Sequence, residues 1–391
     1  MTLKAAISWI EDQYTDTRLK SVRTFLSEAT IHEFGISLFA RTPQSAPYHT
    51  EGPFLQQHIE RMLTVLFAIE DGESLLAIEE LAAKKEWHTQ IEGLEHCLQE
   101  HAATMRAYCL LHDLAKTDVF TIAAPEGSKG MNVGFSLISQ KMSQRDRERQ
   151  RDLYQKYVQH FSIEQQLDVS KELAARFYDA YELRVHYPKH AQVGGSAEYK
   201  ESYHAIGEWL RMREQDIDVL RWLTRQHIDV IAAFQSGPDV HAYEVFAGRA
   251  EKAGLDVHEA MELLLATVFL DACMGSLRYE HGRFSVELNI VFHFFESERQ
   301  VAPRRLERRT QKAEKKKKRA FKNLLQESDL LGNAVFSLLE IPFGPERGAV
   351  MEQIHAYVRG DIDRMSDQYR SEELLFRLKR ARAAFDAQKR S

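Results

Sequence analysis

Five long stretches of this sequence carry apolar residues at intervals of three and four, and that rhythm constrains the fold more than any other feature. They are FLQQHIERMLTVLFAIEDG (54–72), ATMRAYCLLHDLAK (103–116), SKELAARFYDAYEL (170–183), DIDVLRWLTRQHIDVIAAF (216–234) and HEAMELLLATVFLDACMG (258–275). Such spacing lines one face of an α-helix, so each stretch predicts an amphipathic helix that buries one side. The nine prolines fall mainly between these blocks, where helix breakers belong. The expected fold is mainly α: a helical bundle with a small β-hairpin and a basic helical C-terminal extension.

One stretch departs from the rhythm. RFSVELNIVFHF (283–294) places Phe284, Val286, Leu288, Ile290, Phe292 and Phe294 at alternate positions. A period of two predicts a strand over 283–294. Arg278-Tyr279-Glu280, with His281-Gly282 as the turn, is its expected hairpin partner. A single hairpin is marginal by itself, so it is expected to pack on helices.

With 391 residues, the chain divides on composition into a helical domain over 1–300 and a basic helical region over 301–391. Within the first, 121–165 reads as an insertion or lid. It joins a glycine-bearing loop, APEGSKGMNVGF, to the polar run KMSQRDRERQRDLYQKY, and loops of that length are usually functional. Its Gly-Ser-Lys-Gly piece completes no phosphate-binding loop pattern. Residues 301–322 carry eleven lysines and arginines against two glutamates, a net +9 in a chain whose net charge is −6. An exposed helix is expected over 304–322, as a solvated face or as a contact for RNA or DNA.

Cys97, Cys109 and Cys273 form no CxxC pair. This odd count argues against a disulfide framework or a thiolate zinc site. No run of eighteen apolar residues occurs, and the first residues lack the apolar core of a signal peptide. The expectation is a cytoplasmic protein without membrane contact.

Inside the apolar stripes stand groups that resist burial. His58 interrupts LQQHIERML, and His112-Asp113 ends the run Tyr108-Cys109-Leu110-Leu111. His190 lies in HYPKHAQVGG with His186 four residues earlier, His227 in LTRQHIDVIAAF, and Asp271 in ATVFLDACMG. A single histidine on an apolar helix is usually a satisfied core residue. Four histidines and two aspartates from five segments form a nitrogen and oxygen donor set suited to divalent transition metals. Burial of such groups costs several kcal/mol unless something compensates.

The order H…HD…H…H…D resembles the HD superfamily of metal-dependent phosphohydrolases. YHTEGPFLQQHIERML resembles the H-x-E-G…H helix of HD domains found beside tRNA nucleotidyltransferases. HDLAK resembles their HD-[LI]-[AG]-K, and LDA at 270–272 their closing ADA. The likeness covers about residues 45–280. It implies a helical HD bundle with His58, His112, Asp113 and Asp271 as ligands of one metal. His190 and His227 would complete a second site, with Asp113 bridging. The interval from His112 to His190 is longer than in compact members, and His186 is an alternative to His190. His49 falls outside the usual six and is a candidate to face the substrate. His88, His96, His101, His204, His241, His258 and His281 match nothing in the pattern.

The implied activity is hydrolysis of a phosphoester, in a nucleotide or a nucleic-acid end, by a metal-activated water. Two divalent ions are implied, iron or manganese ahead of magnesium, nickel, cobalt or zinc, because the ligands are mixed and thiolates are absent. Asp113 and Lys116 are the expected catalytic residues. Lys116, His49 and His186 are the expected substrate contacts. Two other readings use the same residues: a diiron oxygenase on the HD scaffold, and a non-catalytic nucleic-acid-associated protein with a structural metal site.

Overall fold

The computed structural model describes residues 3–31, 36–135, 142–369 and 371–390. Among them, nineteen α-helices accompany two small antiparallel strand pairs, so the protein is mainly α. The chain forms two compact units, 1–301 and 302–391. No described helix is long and apolar enough to cross a membrane.

In the first unit, helices Leu55–Glu70, Ala102–Leu111, Glu214–Phe234 and Val257–Val268 pack on one another. The stripes in the sequence are the packed faces. Ile59, Met62, Leu63, Leu66 and Ile69 of the first helix have no exposure. That helix stops at Asp71-Gly72, where Gly72 takes a φ of 95°, a left-handed turn that favours glycine. Ile217, Leu220, Leu223, His227, Val230 and Phe234 form the buried stripe of Glu214–Phe234. A buried Leu or Ile stabilises such a stripe by about 1.5–3 kcal/mol. His227 gives up that gain, so its place there needs another cause.

The 121–165 region is folded, with residues 136–141 outside the described ones. Strand Thr121–Ala123 pairs antiparallel with Arg184–His186, setting Ile122 opposite Val185. Helix Gln144–Gln165 opens on a Ser143/Asp146 capping box, and helix Lys171–Tyr181 on a Ser170 cap. Their inner faces share a core of Phe120, Ile122, Phe135, Tyr154, Phe161, Phe177 and Tyr181. The polar run conceals an anchor. Arg151 is fully buried, donates to the Thr117 carbonyl at 2.6 Å and pairs with Glu148 at 2.7 Å. The long interval between His112 and His190 is therefore a small subdomain with its own core.

The strand expected over 283–294 is corrected. Only Arg283–Ser285 is extended, pairing with Arg278–Glu280 so that Tyr279 faces Phe284. His281 and Gly282 make the turn with φ of 52° and 78°. From Asn289 the chain is helical to Glu327. Ile290, Val291, Phe294, Phe295 and Val301 are its buried positions. Ile290 and Phe294 fit both an alternating and a helical pattern, and a short apolar run cannot distinguish the two periods. Val291, Phe295 and Val301 fit only the helix.

The second unit is helical throughout its regular structure. The end of helix Asn289–Glu327 and helices Gly332–Leu338, Glu346–Arg359 and Glu372–Arg390 surround Leu325, Leu330, Val335, Val350, Ile354, Val358, Leu374 and Leu378. The basic segment lies on the long helix, and Lys315, Lys316, Lys317 and Lys318 are exposed on it.

Candidate metal centre

Five segments bring the six predicted ligands to one place. His58 stands in the first turn of Leu55–Glu70. Helix Ala102–Leu111 ends so that His112 and Asp113 occupy the turn before the short helix Lys116–Val119. His190 opens the helix His190–Gly194, after Lys189 in a left-handed conformation. His227 comes from Glu214–Phe234, and Asp271 from a π-helical stretch, Phe269–Gly275. Such stretches are rare and recur at functional sites. All six side chains are buried. Gly275 permits the approach: a Cβ there would stand 2.5 Å from Met62 Cγ and 3.1 Å from His58 Cε1.

The donor atoms fall into two groups. His58 Nε2 is 3.3 Å from Asp271 Oδ1, and His112 Nε2 is 3.9 Å from the same oxygen. Asp113 Oδ2 lies 3.2 Å from His112 Nε2 and 3.9 Å from His58 Nε2. Asp113 Oδ1 turns to the other group, 3.2 Å from His190 Nε2 and 3.8 Å from His227 Nε2. Asp113 therefore faces both groups with different oxygens. His190, not His186, stands beside His227.

These residues fit a metal. The ring nitrogens on the far side are occupied: His112 Nδ1 is 3.0 Å from the Tyr108 carbonyl, His190 Nδ1 3.0 Å from that of Tyr187, and His227 Nδ1 2.7 Å from that of Thr224. A neutral imidazole has one proton, so each of these bonds leaves an Nε2 lone pair facing inward. His190 Nε2 and His227 Nε2 then meet at 3.2 Å, close enough for a proton or a metal ion to join the two lone pairs. Both ring nitrogens of His58, His112 Nε2 and both Asp113 oxygens are buried without an aligned hydrogen bond, although His58 Nδ1 stands 2.9 Å from the Glu51 carboxylate. Orphaned buried donors and acceptors are costly and rare. Among the described residues, three sets of His, Asp and Glu side chains could hold a metal ion: His58/His112/Asp271, Asp113/His190/His227 and, beside them, His49/Glu51/His58.

The electrostatics follow from the crowding. Burial works against the charge on Asp113, but His112 and Lys116 outweigh it and hold the carboxyl well below its usual range. Asp271 is likewise held down against burial by His112 and His58. Burial opposes the charge on His58, yet Asp271 and Glu51 raise it to about 10. Burial and His190 lower His227 to about 3.

Beside the centre is a cavity of about 710 Å³ lined by His49, Lys116, Arg184, His186, Tyr187 and Arg278, with Asp113, His190, His227 and Asp271 at its floor. His49 and His186 thus line the cavity without joining the two ligand groups. Lys116 sits deeper than a free phosphate contact would. It is 3% exposed, its Nζ lies 2.6 Å from Asp113 Oδ2, and it stands over the Tyr187 ring at 4.7 Å. Of the seven unmatched histidines, His96, His241, His258 and His281 are exposed and the other three are half-buried. Residue-by-residue reading of the sequence passed over Glu51, Arg184 and Arg278. Glu51 had a signal, standing two residues after His49 in the His-Thr-Glu-Gly segment. The two arginines had none, because strand pairing alone brings them to the cavity.

No protein-family model, curated protein or solved structure matches this chain.

Proposed function

We propose that this protein is a metal-dependent phosphohydrolase of the HD type, acting on a phosphoester of a nucleotide or a nucleic-acid end. The observation that carries the reading is the pair of inward-facing donor groups that share Asp113, each short of hydrogen-bond partners, at the floor of an open cavity. His58, His112, Asp113 and Asp271 would hold one divalent ion, and Asp113, His190 and His227 the other. Iron or manganese suits the nitrogen and oxygen set better than magnesium, nickel, cobalt or zinc. When bound, the ions would supply Lewis-acid charge and lower the pKa of water toward about 7.

The chain's own residues prepare the rest. The carbonyls of Tyr108, Tyr187 and Thr224 face Nδ1 of three imidazoles and so turn each Nε2 inward. Asp113 is kept ionised by His112 and Lys116. Arg184 and Arg278 bring cationic N–H donors to the cavity wall, where phosphoryl oxygens are recognised by such groups, while Lys116 stays paired with Asp113 beneath them. Tyr48 and Tyr187 line the same cavity, with Arg278 over the ring of Tyr48 and Lys116 over that of Tyr187. In the reaction a water oxygen bonds to phosphorus and the ester P–O bond breaks.

The test is metal analysis of anaerobically purified protein, then a broad phosphoester screen under nitrogen and in air. Phosphate release without oxygen, dependent on bound metal, is expected. Turnover that requires oxygen and releases no phosphate would refute this reading in favour of a diiron oxygenase. Metal-loaded protein inert toward every phosphoester would refute it in favour of a non-catalytic nucleic-acid-associated protein.

A further inference from the structure

We propose that Glu51 is a positioning residue that sets two imidazoles at once, the metal ligand His58 and the cavity residue His49. The inference rests on the metal-centre reading above but not on the reaction assigned to it. Glu51 is buried, with 2% of its side chain exposed. Its Oε1 lies 2.9 Å from His58 Nδ1 and 3.2 Å from His49 Nδ1. Its Oε2 accepts from the Leu277 amide at 3.1 Å, two residues past the stretch that carries Asp271. The Thr50 amide donates to the Leu277 carbonyl at 3.0 Å, fastening the same two segments a second time.

The consequence follows from imidazole chemistry. His58 carries Nδ1 on the Glu51 side, 2.9 Å from Oε1 as an ion-pair contact, and Nε2 on the Asp271 side, 3.3 Å from Oδ1, among the ligand atoms. His49, set edge-on to His58 at 5.1 Å between ring centroids, turns Nε2 toward the cavity, 3.5 Å from Lys116 Nζ. Lys116 returns to Asp113 at 2.6 Å. One carboxylate thus links the metal side and the cavity side of the site. Partners of this kind raise ligand basicity, and their loss costs about 10–100-fold in metal affinity. A glutamine at this position cannot serve all three contacts: its oxygen can face Leu277 only by turning its NH2 toward the two Nδ1–H groups.

Manganese(II) titration of the chelator-stripped full chain, followed by the resonance signal of free manganese, tests this without substrate. Glu51→Gln is expected to bind the same number of ions as wild type, about 10–100-fold more weakly. Glu51→Asp, which keeps the charge on a shorter arm, should recover part of that loss, and it carries the test if Glu51→Gln does not fold. His49→Gln should keep wild-type affinity, because His58 retains its carboxylate. Unchanged affinity in Glu51→Gln would overturn the proposal. So would a lower ion count in both Glu51→Gln and His49→Gln, which would make the pair direct ligands. Wild-type protein that binds ions but hydrolyses no phosphoester would sink the proposed reaction and leave the role of Glu51 supported. Wild-type protein that binds no manganese(II), iron(II) or zinc(II) would overturn both.

Discussion

Lys116→Met removes one ammonium from the centre and keeps nearly the same length and apolar volume. Lys116 Nζ is 2.6 Å from Asp113 Oδ2, and the two side chains are 3% and 1% exposed. Removing one partner of a buried ion pair typically costs about 3–5 kcal/mol, since the remaining charge is left uncompensated. His112 Nε2 stands 3.2 Å from the same oxygen and still favours the ionised carboxyl of Asp113. The lower end of that range, about 3 kcal/mol, is therefore expected for metal-free protein. With metal bound, a cation already faces Asp113, and the cost should shrink to about 1 kcal/mol, as for a weakly coupled pair. The difference, about 2 kcal/mol, must by linkage appear as metal binding about thirtyfold tighter in the variant. Urea unfolding with chelator and with saturating manganese measures the first two quantities, and manganese titration the third. Equal destabilisation with and without metal, or weaker metal binding in Lys116→Met, would refute the idea that Lys116 and the metal compensate the same carboxylate.

Asp113→Ala should be the most damaging single change to metal content, because it alone faces both donor groups; His190→Ala should release one ion and retain the other, as metal per chain will show. Acidity should act through His58: raised to about 10 from 6.5, it stabilises metal-free protein below pH 6.5 and loses that contribution as pH climbs toward 10. Because metal binding requires its Nε2 unprotonated, manganese affinity should rise over the same window, with proton release measurable by calorimetry in buffers of different ionisation enthalpy. His227, lowered to about 3, works in the opposite sense, so metal-free stability should also fall as pH drops from 6.5 toward 3 in chemical denaturation. Arg151→Ala should cost about 1.5–3 kcal/mol by urea unfolding, the range for a hydrogen bond to a charged group, and a loss under about 0.5 kcal/mol would mean the subdomain is held without it. If the basic helix contacts single-stranded RNA, replacing Lys315, Lys316, Lys317 and Lys318 by Gln should flatten the salt dependence of binding, whose slope is about −0.7 per phosphate neutralised.

Much of the fold was legible because helical periodicity is a local property. The stripe from Ile217 to Phe234 is written in the sequence, and any helix formed there must bury it. The candidate ligands were legible for a related reason. A histidine or aspartate in such a stripe, as at His58, His227 and Asp271, is carried into the interior by its neighbours and must be compensated there. What the sequence leaves open is which buried groups meet, since that depends on how separate helices cross and how the intervening chain folds. Only the tertiary structure set His190 rather than His186 beside His227, sent the two oxygens of Asp113 to different groups, and brought Lys116 within 2.6 Å of one of them. It also decided between periods that a short apolar run cannot separate: Val291 and Phe295 found a helical face to bury, so Asn289 onward became helix and only Arg283–Ser285 stayed extended. Arg151 shows the same limit from the polar side. Nothing in a run of alternating charges marks one arginine as buried, until a carbonyl at Thr117 and the ring of Phe120 are in place to receive it.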